Sequence, residues 1–277
     1  MESAAMVEVE DVRQSEEYAR YMEKIGWKVE GCIFVRKLGP VSIAKIQRTN
    51  LPKDWESILR RNRVIMCKYE PLDGKPSGFK QDNWPLLATR TLRIDLRPNE
   101  RQIFESFKKD CRYCIRKLQS DKVTKVQRGD FGKFYEIWKR SAWRKNLWIP
   151  GEKEYKSLIK SFGEKCFCLT LLRQGFEGQA GAVILMHKKT AFYYYAGSSV
   201  KSDLPYLVVW KAMKEAKKRG CKIWDFEGIY DSRWPNKGWR GFSHFKRSFG
   251  GEEVKFPGCF TKWSLKNVIY PFKREYN

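Results

Sequence analysis

Between residues 166 and 226 the hydrophobic pattern of the chain changes in a fixed order that few folds accommodate. Three short runs, 166–172, 180–186 and 190–196, are rich in aliphatic and aromatic residues and are separated by Gly-bearing or Lys-rich turns, which predicts antiparallel hairpins. An amphipathic helix follows over 205–219, with Pro205 at its start and Gly220 past its end, the asymmetry expected of helix termini. Residues 222–226 then read as a further strand. Helices precede this block, so the order is helices, a meander, a helix and a last strand, which is an α+β unit.

Upstream, Asn99 followed by Gln102 marks a helix start, and Ile103, Phe104, Phe107, Cys111, Cys114, Ile115 and Leu118 repeat at helical spacing, which predicts one helix over 101–119. Asp130 caps the next helix, where Phe131, Phe134, Tyr135, Trp138 and Ala142 share a face, and 152–162 is another. The first part of the chain has a weaker rhythm. It reads as a helix over 15–25 capped by Ser15, strands at 31–37 and 41–47 around Gly39-Pro40, and a short helix at 54–61. A strand at 63–69, an irregular stretch over 70–85 and a strand at 88–96 complete it.

The 277 residues carry 56 Lys plus Arg against 32 Asp plus Glu, a net charge of +24, while 42% are hydrophobic. This composition describes a globular protein, and the surplus makes a positive field that gathers polyanions, with nucleic acid first and anionic lipid or nucleotide phosphate next. The acidic N-terminus lacks the apolar core of a signal peptide, and the longest apolar run, 180–186, is too short to span a bilayer. A cytoplasmic protein is expected, one whose basic surface can rest on the inner face of an anionic membrane. Eight cysteines in that compartment are expected to be thiols. Cys111 and Cys114 fall on the apolar helix face, and with only His187 and His244 available no zinc set is expected.

Several motifs together carry a resemblance. The stretch 192–251 runs from an aromatic strand through Asp225-Phe226-Glu227-Gly228-Ile229 to a basic loop bearing Phe245-Lys246-Arg247-Ser248-Phe249-Gly250-Gly251. It closely resembles the catalytic half of the FemABX aminoacyltransferases, which move an amino acid from its tRNA to an amine of a peptidoglycan precursor. The resemblance implies two GNAT-like lobes, each a mixed, largely antiparallel sheet flanked by helices. Residues 1–95 with 252–277 would form the acceptor-side lobe, closed by Trp263, Leu265, Val268 and Phe272, and 96–251 the aminoacyl-tRNA and catalytic lobe. It implies that Lys246 stabilises the tetrahedral oxyanion and that Phe245 meets the tRNA acceptor end, where its ring offers a face for the terminal adenine. The segment 109–116 resembles a basic family helix, and Lys109, Arg112 and Arg116 on its polar face suit a phosphate backbone.

The substrate-binding candidates are Lys24, Glu70, Tyr194, Asp225 and Glu227. Lys24 matches the family's diphosphate-holding lysine by its Lys-x-x-Trp spacing, and Glu70-Pro71 resembles an acidic strand end. Tyr194 stands on the aromatic strand. Asp225 and Glu227 resemble the family's strand end, with Glu227 replacing a glycine. Alternation with Trp224 and Phe226 predicts that both carboxylates leave the strand on one side, either to take a proton or hold the substrate ammonium, or to pair with nearby arginines.

Transfer from an ester already activated on tRNA needs no acyl-enzyme, so the lack of a Ser-His-Asp or Cys-His pattern does not oppose it. No cofactor is expected beyond aminoacyl-tRNA as co-substrate, and no metal. The partners implied are that tRNA and a nucleotide- or lipid-linked muropeptide, with the protein a monomer. Three other readings compete. An acyl-CoA N-acyltransferase of GNAT type wants a Gly-rich turn before the 205–219 helix, where 197–204 holds one glycine. A tRNA-dependent transferase acting on protein N-termini is a nearer relative. A non-enzymatic basic RNA-binding protein would carry an RRM, KH or zinc-knuckle pattern, which is not found.

Overall fold

The computed structural model describes residues 10–120, 124–173, 179–199, 202–236 and 238–264. In chain order the elements are α1 (Glu16–Lys24), β1 (Lys28–Glu30), β2 (Ile33–Leu38), β3 (Val41–Gln47), α2 (Trp55–Arg61), β4 (Val64–Glu70) and β5 (Lys80–Asp82). Then come β6 (Arg90–Asp95), α3 (Glu100–Glu105), α4 (Lys109–Ser120), β7 (Thr124–Arg128), α5 (Phe131–Arg144), α6 (Glu152–Phe162) and β8 (Cys166–Arg173). The chain continues through β9 (Gln179–His187), β10 (Thr190–Ser198), α7 (Leu204–Lys218), β11 (Ile223–Asp225), α8 (Trp239–Arg247), β12 (Glu252–Lys255) and β13 (Cys259–Trp263). They form two compact units: Arg13–Thr89 with Lys255–Asn277, and Met1–Val12 with Arg90–Val254.

The smaller unit is a six-stranded sheet in the order β1-β2-β3-β4-β13-β5. Only β3 and β4 run parallel, joined by α2, because a parallel pair needs a crossover. Alternation along the strands, shifted by one residue at an irregularity between Val64 and Met66 of β4, sends Ile33, Val35, Ala44, Ile46, Val64 and Cys67 to the face covered by Ile58 and Leu59 of α2. Phe34 faces the other way, against Tyr18 of α1. The Ser15 hydroxyl caps α1 by accepting from Tyr18 N.

The larger unit is a seven-stranded sheet in the order β12-β6-β11-β10-β9-β8-β7, in which β10 and β11 run parallel and are joined by a helix. Pro205 opens that helix, α7. Its Leu207, Val208, Val209, Ala212 and Met213 share a core with α4 and with the Leu169, Leu171, Ala182 and Ile184 face of the sheet. On the opposite face α5 and α6 contribute Phe134, Trp138 and Tyr155, which pack together and against Tyr195 of β10. Asp130 and a capping box of Asn99 and Gln102 start α5 and α3 as the sequence predicts. The result is the predicted α+β architecture, two mixed sheets with helices against them.

Several boundaries move. The strand at 90–95 pairs antiparallel with β11, and β12 edges the same sheet, so both belong to the larger unit. The cause is burial: Leu92 and Ile94 fill the larger unit's core. β13 does return to the smaller sheet, between β4 and β5. Trp263 stays exposed there instead of packing, and Leu265, Val268 and Phe272 lie outside the described residues. The single helix expected over 101–119 is two, because Phe107 turns into the core and Lys108 N donates to Ser248 O at 2.8 Å. The irregular stretch contains β5, and the basic loop before Lys246 is helix α8.

Candidate active site

The site grows from the end of β11. All three residues of this strand are buried, and its last, Asp225, meets charge and hydrogen bonds from the adjacent β6. Arg93 Nε donates to Asp225 Oδ2 at 2.8 Å, and Thr91 Oγ1 donates to Oδ1 at 2.5 Å. Oδ1 also accepts from Glu227 N at 2.8 Å, so the carboxylate closes a tight turn over the two residues after it. Glu227 takes φ +61°, a left-handed conformation that favours glycine, and Gly228 comes next at φ +144°. The strand has therefore ended before Glu227. The expected strand alternation of the two carboxylates does not operate; the Asp225 side chain instead fixes the turn in which Glu227 sits.

This turn aims two carbonyls at one lysine. Lys246 Nζ donates to Phe226 O at 2.7 Å and to Gly228 O at 2.6 Å. The ring of Phe242 lies 4.9 Å from Nζ, with Tyr193 and Phe226 at 5.9 and 6.0 Å. Burial pushes the ammonium down from its ordinary value to about 8, opposed by the negative charges of Glu227 and then Asp225. A lysine so placed keeps its charge near neutrality but yields it readily above.

Helix α8 delivers Lys246 because its neighbours pin it on three sides. Ser243 is fully buried; its hydroxyl accepts from Tyr230 N at 2.7 Å and donates to Trp239 O at 2.6 Å. Glu253 of β12 takes Arg247 at 2.6 Å and Arg90 of β6 at 3.0 Å. Phe249 sits in the core, edge-on to Phe107 at 5.1 Å. The two glycines after it are demanded by space: a Cβ at Gly250 (φ +71°) would lie 2.9 Å from Ser106 O, and one at Gly251 (φ +88°) 2.3 Å from Arg93 O. Gly251 thus lets the chain pass against the strand residue whose side chain holds Asp225.

The remaining candidates divide. Phe245 is half-buried, edge-on to Tyr206 at 4.9 Å and to Phe249 at 5.4 Å, so it forms the outer ring of this aromatic cluster. Tyr194 is the extra residue of a bulge in β10, where Tyr193 pairs with Ile184 and Tyr195 with Val183; its ring lies 4.7 Å from that of Tyr195. Bulges re-aim side chains beside sites, and this one comes directly after Tyr193. On α4, Lys109 and Arg116 are exposed, with the Arg116 guanidinium 5.4 Å over Phe104. Arg112 is half-buried instead, donating through Nη1 to the carbonyls of Glu105 (3.0 Å) and Phe107, so it ties α3 to α4.

Lys24 and Glu70 belong to the smaller unit. Lys24 is exposed at the last position of α1. Glu70 is buried at the end of β4, accepting from Gln47 Nε2 and from Leu87 N, both at 2.8 Å. Sequence reasoning missed Thr91, Arg93, Phe242 and Ser243. Thr91 and Arg93 do sit two apart in a predicted strand, so they share a face, but nothing in the sequence states that β6 lies beside β11. Among the described residues no cluster of His, Cys, Asp and Glu is arranged to hold a metal ion. The cysteines are free thiols, and burial raises that of Cys111 to about 12. No described helix is long and apolar enough to cross a membrane.

The FemAB family profile matches residues 178–276, which contain β9 to β11, the Asp225 turn, Lys246 and the glycine pair. No curated protein matches the chain in sequence. Among solved structures, FemX superposes with a TM-score of 0.76 at 14% identity, over 93% of both chains. The C-terminal domain (DUF2156) of an Agrobacterium fabrum protein named as a lysylphosphatidylglycerol synthetase gives 0.61 at 12% identity, over 93% of this chain and 90% of that one. A tandem GNAT protein of the clavulanic acid pathway gives 0.50 at 9% identity, over 83% and 78%. These structural likenesses establish a GNAT-like tandem fold, and the segment that matches the FemAB family is the one that carries the Asp225 turn and Lys246.

Proposed function

We propose that the protein transfers an amino acid from aminoacyl-tRNA to an amine of a peptidoglycan precursor. The observation that carries this reading is the Lys246 ammonium, seated on two backbone carbonyls beside the Asp225 turn. The acceptor amine, neutral when it attacks, bonds to the ester carbonyl carbon and an oxyanion forms. Collapse breaks the bond from that carbon to the ribose oxygen; the amine gives up one proton and the ribose hydroxyl gains one. An ammonium carries three N–H donors. Two hold Lys246 in place, and we assign the third to the oxyanion, where a fixed donor is worth most because it needs no reorganisation. Glu227 and Asp225 keep the lysine charged despite its burial. Asp225 itself is committed to Arg93, Thr91 and the turn, so it serves as a positioning group and not as the proton acceptor. Lys109 and Arg116, with the net charge of +24, suit the tRNA backbone. Lys24, Tyr194 and the ring of Phe245 are the remaining candidates for substrate contact.

The test is a panel of charged tRNAs offered with nucleotide-linked and lipid-linked muropeptides and with phosphatidylglycerol, read by product mass. A muropeptide heavier by one aminoacyl residue is the expected product. Aminoacylated lipid alone would replace the acceptor in this reading. Acetyl transfer from acetyl-CoA, with no product from any charged tRNA, would replace the reading itself.

A further inference from the structure

The last turn of α5 and the loop after it present Trp143, Leu147 and Trp148 to solvent, 83%, 59% and 82% exposed. The inner face of the helix is already filled by Phe134, Ile137, Trp138, Ser141 and Ala142, so these three side chains have no place in the core. Their display is fixed by backbone geometry. Asn146 takes φ +50°, Asn146 N donates to Trp143 O at 3.1 Å and Leu147 N to Ala142 O at 3.0 Å, a closed Schellman turn. Arg144 tethers the same turn to Ser198 O at the end of β10. From 137 to 151 the chain contains Lys139, Arg140, Arg144 and Lys145 and not one acidic residue.

We infer that this turn seats the protein on an anionic lipid surface. Indole rings favour the headgroup level, where one end of the ring is wet and the other apolar. Leu147 stands between the two indoles in sequence and adds aliphatic surface that the acyl boundary accepts. The surrounding cations meet lipid phosphates, an attraction confined to within a Debye length of the surface. Single-stranded RNA also takes aromatic and basic residues, but it uses flat faces for stacking and leaves the exposed leucine unexplained. The inference does not depend on the transfer reaction: its residues are separate from Lys246 and its turn.

The test is co-sedimentation of the full chain with vesicles of phosphatidylcholine alone, or mixed with phosphatidylglycerol or phosphatidylserine at equal charge. Binding to both anionic vesicles and not to the neutral one is expected, weakening with salt. The variant W143S/L147S/W148S should lose about tenfold or more in vesicle affinity. Its melting temperature should hold, since the three side chains are exposed, and its transfer activity on a soluble acceptor should be kept. Quenching of tryptophan fluorescence by lipids brominated along the acyl chain should fall with it. Unchanged vesicle affinity in the variant would overturn the inference, as would a variant that loses tRNA binding alone. Wild-type binding to phosphatidylglycerol but not phosphatidylserine would also overturn it, by pointing to capture of one headgroup as a substrate.

Discussion

Both units of the molecule build the same strand-helix-strand corner, and they use it differently. In the smaller unit β3 and β4 run parallel around α2, and β4 ends on a buried acid, Glu70. In the larger unit β10 and β11 run parallel around α7, and β11 ends on a buried acid, Asp225. An antiparallel strand lies on the far side in each sheet, β13 beside β4 and β6 beside β11. The partners differ in charge. Glu70 accepts only from neutral donors, Gln47 and Leu87 N, which knits strand ends to a loop. Asp225 takes a guanidinium, a hydroxyl and the amide of the turn that receives Lys246. One corner has become a knot and the other a socket for a cation. The difference lies in the neighbouring strand and in the residues just after the acid: Pro71 in the smaller unit, Phe226-Glu227-Gly228 in the larger.

The largest effect should come from emptying the socket. Lys246→Met removes the donor assigned to the oxyanion, so single-turnover transfer should fall by about a hundredfold or more with aminoacyl-tRNA affinity nearly unchanged. Near-normal transfer would end the distinction drawn between the two corners, leaving both structural.

Next come the groups that shape the turn. Asp225→Asn removes the negative charge paired with the Arg93 guanidinium in a site where both side chains are mostly buried, and should cost about 3 kcal/mol of stability. Gly251→Ala should cost about as much, because a methyl group would meet the Arg93 carbonyl and the backbone is at positive φ. Chemical denaturation of the two variants measures both, and a loss below about 1 kcal/mol in each would mean that the turn tolerates loss of its clamp.

Glu70→Gln should be far milder. Gln47 Oε1 is buried without a partner, so a flip of the Gln47 amide lets it accept from the new side-chain NH₂. A cost under about 1 kcal/mol is expected. A loss as large as that of Asp225→Asn would show that the smaller unit also needs the charge, and the two corners would then be alike in kind.

Much of the socket was legible in sequence, and the reasons are local. Proline and glycine bracket α7, and the order of strand, helix and strand comes from hydrophobic period. Lys246 was found through the segment that ends in Phe249-Gly250-Gly251, where the glycines are forced by close backbone approach. The pairings were not legible. That Arg93 and Thr91 meet Asp225 depends on β6 lying next to β11, a contact across more than a hundred residues. Helix α8 was hidden because Gly241 and a run of basic residues dilute its apolar face, which Ser243 completes with a hydroxyl rather than a methyl group. Arg112 looked like a phosphate ligand on a basic helix face, but the break between α3 and α4 claims part of its guanidinium.

The smallest expected effect concerns Glu227, the residue standing at a glycine-like φ of +61°. Burial lowers Lys246 from its ordinary value to about 8, and its cation is the form proposed to meet the oxyanion. Transfer at saturating substrate should therefore be sustained below that pH, once the acceptor amine is neutral, and should be lost as pH rises through about 8. The carboxylate of Glu227 favours the charged lysine and so opposes the effect of burial. Glu227→Gln keeps the backbone demand and the length of the side chain but removes that charge. The alkaline limb should then move to lower pH, with little change in rate well below it. A limb that stays in place in Glu227→Gln belongs to some other group, and the proximity of charge that separates this corner from the one at Glu70 would have no part in the chemistry.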